Sequence, residues 1–121
     1  MSKGRDVEDF LDDILAMADA VQDFLGDLAF EEFLADRKTI FAVFHALEVM
    51  GEASKNISSE VRNRHPDIPW RKMAGMRDNL IHGYFGVDAE VVWETATRLV
   101  PELRSLIESV ASEERKRGTD G

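Results

Sequence analysis

The segment Met76-Arg77-Asp78-Asn79-Leu80-Ile81-His82-Gly83-Tyr84 gathers a guanidinium, a carboxylate, an amide, an imidazole and a phenol into eight positions. Free histidine titrates at about 6.5, so His82 can take a proton from a ribose 2′-hydroxyl at neutral pH. A guanidinium such as Arg77 can grip a phosphodiester through two hydrogen bonds and stabilise the negative charge that develops on it. These groups suit RNA transesterification, which needs no metal because the nucleophile already belongs to the substrate. Arg77 and His82 are therefore the candidate catalytic residues, with Asp78 and Asn79 as auxiliary groups. On a regular helix of about 100° per residue, Asp78 and His82 stand about 40° apart, so the carboxylate can orient the imidazole. Arg77 and His82 stand about 140° apart and meet only if the helix end distorts or a second subunit contributes. The competing reading is a helix end at which His82 merely satisfies the last carbonyls.

Other chemistries lack their residues. His45, His65 and His82 form no pair at metal-ligand spacing, so no metal is assigned. Neither common glycine-rich phosphate loop occurs, nor a serine- or cysteine-hydrolase signature, and no cofactor is implied. Cysteine is absent, which excludes disulfides and thiolate metal sites and suits a reducing compartment. Met1 to Asp6 lead into a charged amphipathic stretch, so no secretory signal is expected and the expected location is cytoplasmic.

The elements that must carry the segment are helical. Val7, Phe10, Leu11, Ile14, Met17, Ala18, Val21, Phe24, Leu25 and Leu28 recur in steps that favour an amphipathic helix from about Arg5 to Leu25, stopped by Gly26. A short helix through Phe30–Leu34 follows. Asp36 or Thr39 then caps a long one over roughly Arg37 to Asn56, apolar around much of its girth and hence central. Gly51 inside it costs about 1 kcal/mol relative to alanine, which suggests that another backbone comes close there. A short turn from Ser58 ends at His65-Pro66, and Pro69 starts a helix expected over Trp70 to His82, broken by Gly83 and Gly86. Asp88 caps the last helix, in which Pro101 should cause a kink or a restart near Val100. The expected fold is all-α, a four- to five-helix up-and-down bundle in one domain over 1–112, with a polar tail over 113–121 expected to fray. The breadth of the apolar surface also suits a homodimer.

With 121 residues and a net charge of −9, the chain is too short for two cores and too acidic for indiscriminate adhesion to nucleic acid. No apolar run approaches the length of a membrane helix. The charge is uneven. Lys55, Arg62, Arg64, Arg71, Lys72 and Arg77 give the stretch from Lys55 to His82 a local +3, against −12 for the rest, so this island is a candidate anion site or simply a solvated face.

Arg77-x4-His82-x-Tyr84 resembles the Arg-x4-His-x-Tyr motif of HepT toxins, which belong to the HEPN superfamily of helical nucleases. The likeness extends to Arg5-Asp6-x3-Phe10-Leu11-x2-Ile14-Leu15, to Phe33 and Asp36, and to Ala42 and Leu47 ahead of Gly51-Glu52-Ala53. Ile68-Pro69-Trp70, Gly75-Met76-Arg77 and Trp93 continue it, so that it spans roughly Arg5 to Leu106. The resemblance implies a homodimeric helical bundle whose two motifs face one cleft. It further implies a metal-independent endoribonuclease toxin of a type VII-like toxin–antitoxin system, paired with an MntA-type minimal nucleotidyltransferase antitoxin. Carried over, Arg77 binds phosphate, His82 is the general acid or base, and Tyr84 is the hydroxyl that the antitoxin modifies with AMP. The family often has asparagine directly after the arginine, where this chain has Asp78 and then Asn79. The alternative is a non-catalytic helical partner that presents substrate to, or docks on, a nucleotidyltransferase.

Other conspicuous residues read as structural. Trp70 and Trp93 are core or interface anchors, Met73 and Met76 are packing, and His45 is a core histidine with a satisfied ring. Glu52 either positions a group of the site or bonds locally. Arg71 and Lys72 guide RNA or are simply solvated.

Overall fold

In the computed structural model, which describes residues 6–82 and 86–120, helix α1 (Val7–Leu25) opens on a capping box. Asp6 accepts from the Asp9 amide at 3.1 Å and Asp9 accepts from the Asp6 amide at 3.2 Å, which satisfies two of the donors that a helix start leaves unpaired. The helix stops at Gly26, whose φ of 49° is open to glycine at little cost. Leu11, Ile14, Ala18 and Val21 bury one stripe of α1 against α3 (Arg37–Lys55) and α8 (Val100–Asp120). Between α1 and α3, α2 (Phe30–Leu34) contributes the fully buried Phe33. Asp36 caps α3, accepting from the Thr39 amide at 3.0 Å and its hydroxyl at 2.7 Å, and these bonds hold the Asp36 carboxyl below its ordinary range.

Helix α3 is the axis of the fold, with Val43, Leu47 and Met50 wholly buried and contacts to α1, α2, α5, α6 and α7. At Gly51 the expected close approach is present. A Cβ built there would stand 3.0 Å from the Met73 carbonyl oxygen, tight enough that the neighbouring backbone would have to give, and in ordinary contact at 3.9 Å with that of Ala74. The missing methyl lets α5 (Trp70–Ala74) lie directly on α3. Upstream, α4 (Ser59–Arg64) leads into the Pro66 turn, and Trp70 anchors α5 by donating its indole N–H to the His65 carbonyl at 2.9 Å.

The architecture is all-α, as expected, but three expectations need correction. The helix expected over Trp70 to His82 is divided: α5 ends at Gly75, α6 (Met76–Leu80) follows, and Ile81–His82 form a two-residue strand β1. β1 pairs antiparallel with β2 (Gly86–Val87) in the register Ile81 to Val87 and His82 to Gly86. The break arises because α5 must keep Trp70 and Met73 in the core over Gly51. The chain turns at Gly75 to bury Met76 and Leu80 as well.

Second, the polar segment from Glu113 is helical to Asp120. Ile107, Val110, Ala111 and Glu114 follow at core spacing, and the Glu114 carboxylate finds its partners on α4. Third, His45 is not in the core; its side chain is 75% exposed.

Asp88 caps α7 (Ala89–Glu94) and donates its own amide to the Leu80 carbonyl at 2.7 Å, tying the ladder's exit to α6. Before Pro101 the helix widens into a π turn, Thr95–Leu99, closed by the Val100 amide on the Thr95 carbonyl. The wider turn accommodates a ring that would collide with the preceding turn of a regular helix, and α8 restarts at Val100 as the proline predicts. Trp93 packs tilted against Phe30 and Phe33, with centroids 5.7 and 5.2 Å away.

Candidate active site

Helix α6 is one and a half turns long and strictly two-faced. Met76 and Leu80, four residues apart, are buried, which leaves Arg77, Asp78 and Asn79 exposed together. The backbone of His82 follows two residues after the helix, in the ladder with Gly86. The angles drawn for a continuous helix between Asp78 or Arg77 and His82 therefore do not apply. The chain leaves helical geometry at Ile81, whose φ and ψ of −102° and 131° are extended. The helix end is thus distorted, which is one of the two conditions under which Arg77 and His82 could meet, a second subunit being the other. The His82 side chain and Tyr84 lie outside the described residues.

Arg77 has a partner that sequence reasoning missed. Its Nε donates to Glu48 Oε2 on α3 at 2.6 Å, while the guanidinium side chain stays 58% exposed. His45, one turn before Glu48, brings Nδ1 to 3.7 Å from the other carboxylate oxygen. A signal for Glu48 existed: it lies one turn before Gly51, on the side of α3 that the glycine opens to α5.

Three of the six basic residues of the island, Lys55, Arg64 and Arg77, are paired with acids. Lys55 pairs with Glu52 at 3.1 Å, and both are exposed, so among the described residues Glu52 bonds locally. Arg64 grips Glu114 through Nη2 at 2.6 Å and Nε at 3.1 Å and reaches Glu60 at 3.2 Å. His65 Nε2 stands 2.8 Å from the same Glu114, and its Nδ1 3.5 Å from Glu113. Arg64 foremost, then His65, holds the Glu114 carboxyl below the ordinary glutamate range against the opposing effect of burial, and Glu114 in turn raises Arg64. Arg71 and Lys72 on α5 are exposed and form no ion pair among the described residues. Among the described residues, no group of three or more His, Asp or Glu side chains could hold a metal ion. None of the described helices is long and apolar enough to cross a membrane.

Residues 14–110 match the model of the HepT-like family, described as ribonuclease HepT-like. The chain is 48% identical over 106 residues to "Probable ribonuclease HepT" of Thermococcus cleftensis, covering 88% of this chain and 96% of that protein. It is 45% identical over 106 residues to "Putative RNase MJ0125" of Methanocaldococcus jannaschii, covering 88% and 91% of the two chains. Over 106 residues it is 37% identical to "Putative RNase TTE0752" of Caldanaerobacter subterraneus, covering 88% and 95%. No solved structure matches the chain.

Proposed function

The chain belongs to the HepT-like ribonuclease family and is an endoribonuclease, and from this premise we propose that Arg77 and His82 cut RNA by metal-independent transesterification. The ribose 2′-oxygen attacks the adjacent phosphorus and gives its proton to the His82 imidazole. The Arg77 guanidinium binds the non-bridging oxygens as negative charge accumulates on them. The bond to the 5′-oxygen breaks, that oxygen takes a proton from the imidazolium, and the products carry a 2′,3′-cyclic phosphate and a 5′-hydroxyl. Asp78 and Asn79, on the same exposed turn as Arg77, serve as auxiliary groups.

One observation carries this reading. Arg77 is presented to solvent on a turn anchored to the central helix, and the backbone of His82 begins where that turn unwinds. Cleavage of single-stranded RNA in EDTA, with loss in both Arg77→Ala and His82→Ala, tests it. Cleavage that persists in His82→Ala would remove the mechanism.

The same proposal extends to regulation and assembly. The protein acts as a cytoplasmic toxin whose two copies face their motifs into one cleft. Phe24 and Phe41, 45% and 49% exposed on α1 and α3, supply apolar surface for a second copy to cover. An MntA-type nucleotidyltransferase antitoxin silences it by transferring AMP from ATP to the Tyr84 hydroxyl, with release of pyrophosphate. Co-expression with such a partner should add nucleotidyl mass to the wild type and none to Tyr84→Phe.

The second reading, a non-catalytic partner of a nucleotidyltransferase, draws on the internal pairing of Lys55, Arg64 and Arg77 with acids in a chain of net charge −9. It predicts a stable complex with the transferase and no RNA cleavage.

A further inference from the structure

We infer that Glu48 is a positioning residue for Arg77: it fixes the guanidinium plane so that the outer edge of the fork faces a phosphodiester. This rests on the reading of Arg77 as the phosphate-holding group. An exposed arginine samples many rotamers, and a bidentate grip on phosphate requires one of them. The Glu48 carboxylate takes the Nε–H at 2.6 Å, and no other hydrogen bond to Arg77 is formed among the described residues, so Nη1 and Nη2 keep their donors for a ligand.

The anchor is itself rigid. Glu48 follows the wholly buried Leu47 on α3 and is only 26% exposed. One turn on, the backbone contact at Gly51 sets the distance between α3 and the segment that leads to α6. His45 at 3.7 Å flanks the carboxylate oxygen that Arg77 does not use.

Glu48 also offsets the positive charge of Arg77 in the unliganded protein, so the pair adds little to ground-state attraction for RNA. An oriented fork contributes most when the equatorial oxygens gain charge, which is a contribution to kcat and not to KM.

The test uses full-length protein and an RNA oligonucleotide with one scissile site. Glu48→Ala should lower kcat about thirtyfold with KM unchanged or lower. Glu48→Gln, whose amide oxygen still accepts from Nε, should stay within about threefold of wild type. In an Arg77→Lys background, which has no planar fork to orient, Glu48→Ala should cost less than about twofold. Higher kcat/KM in Glu48→Ala would overturn the inference, because it would make Glu48 a competitor of the phosphate. An unchanged kcat would overturn it too, as would the same thirtyfold loss in the Arg77→Lys background. Full activity in Arg77→Ala would instead refute the role of Arg77, on which the inference rests.

Discussion

The molecule builds an arginine, a glutamate and a histidine into neighbouring contact twice. Arg64, Glu114 and His65 meet where the end of α4 is bound to α8, with the glutamate 4% exposed and the arginine clamped in bidentate fashion. Arg77, Glu48 and His45 meet where α3 and α6 touch, with the arginine 58% and the histidine 75% exposed and a single hydrogen bond to the guanidinium. In the first cluster the carboxylate spends both oxygens on Arg64 and is itself withdrawn from water. A cluster of this kind ties elements together and is costly to break. In the second the guanidinium keeps donors to spare and water can reach it, so the pair does little for stability. Identical residue types thus give a rivet in one place and a binding group in the other, and solvent access makes the difference.

The largest effect that sharpens this contrast is on cleavage. Arg77→Ala should lower the rate by about a thousandfold or more in a single-turnover RNA assay, with a melting temperature close to that of the wild type. The reverse pattern is expected at the rivet. Glu114→Ala leaves Arg64 and His65 without their shared acceptor and should destabilise the fold by about 3 kcal/mol in urea titrations, while cleavage per folded molecule persists. Equal losses of activity from the two substitutions would erase the distinction.

Gly51→Ala tests the backbone that carries the exposed cluster. Its Cβ would stand 3.0 Å from the Met73 carbonyl, so α5 must shift. A loss of about 1–3 kcal/mol by thermal melting is expected, together with reduced cleavage because α6 moves with α5.

Acid separates the clusters more gently. The Glu114 carboxyl is held below its ordinary value of about 4.5, so its contribution is complete above that value and disappears as pH falls through the lowered folded one. The stability gap between wild type and Glu114→Gln should therefore be present at neutral pH and close on the acid side of about 4.5. The smallest effect belongs to Glu60→Ala, which removes the exposed partner of Arg64 and should change stability by no more than about 0.5 kcal/mol.

Local signals made most of the fold legible. Gly26, Asp36, Asp88 and Pro101 act within one or two helical turns of themselves, and each marks the boundary or break that the structure contains. Gly51 announced a close approach because a glycine within a helix needs a neighbour to justify it. The unread features depend on distant residues. Gly75 looks like a tolerated interruption until Met73 is seen to rest on Gly51 and Met76 to be buried beside it. Glu114 looks like part of a solvated tail until Arg64, fifty residues earlier, is brought alongside. At the site, the exposure of Arg77 followed from its own neighbours on α6. Its partner Glu48 lies 29 positions away on another helix, and only its place one turn before Gly51 hinted at the contact.

The surplus residue in the turn Thr95–Leu99 and the ring of Pro101 form a matched pair. Shortening that turn by one residue while the proline stays forces the ring against the preceding carbonyl; replacing the proline alone leaves a bulge with no reason to exist. Changing both together yields an uninterrupted rod, with Val92 and Leu103 still on one stripe and the far end of α8 still in phase with α4. Chain length and sequence are therefore coupled at this point, and a family that drifts by single insertions can absorb one here without redrawing its interior.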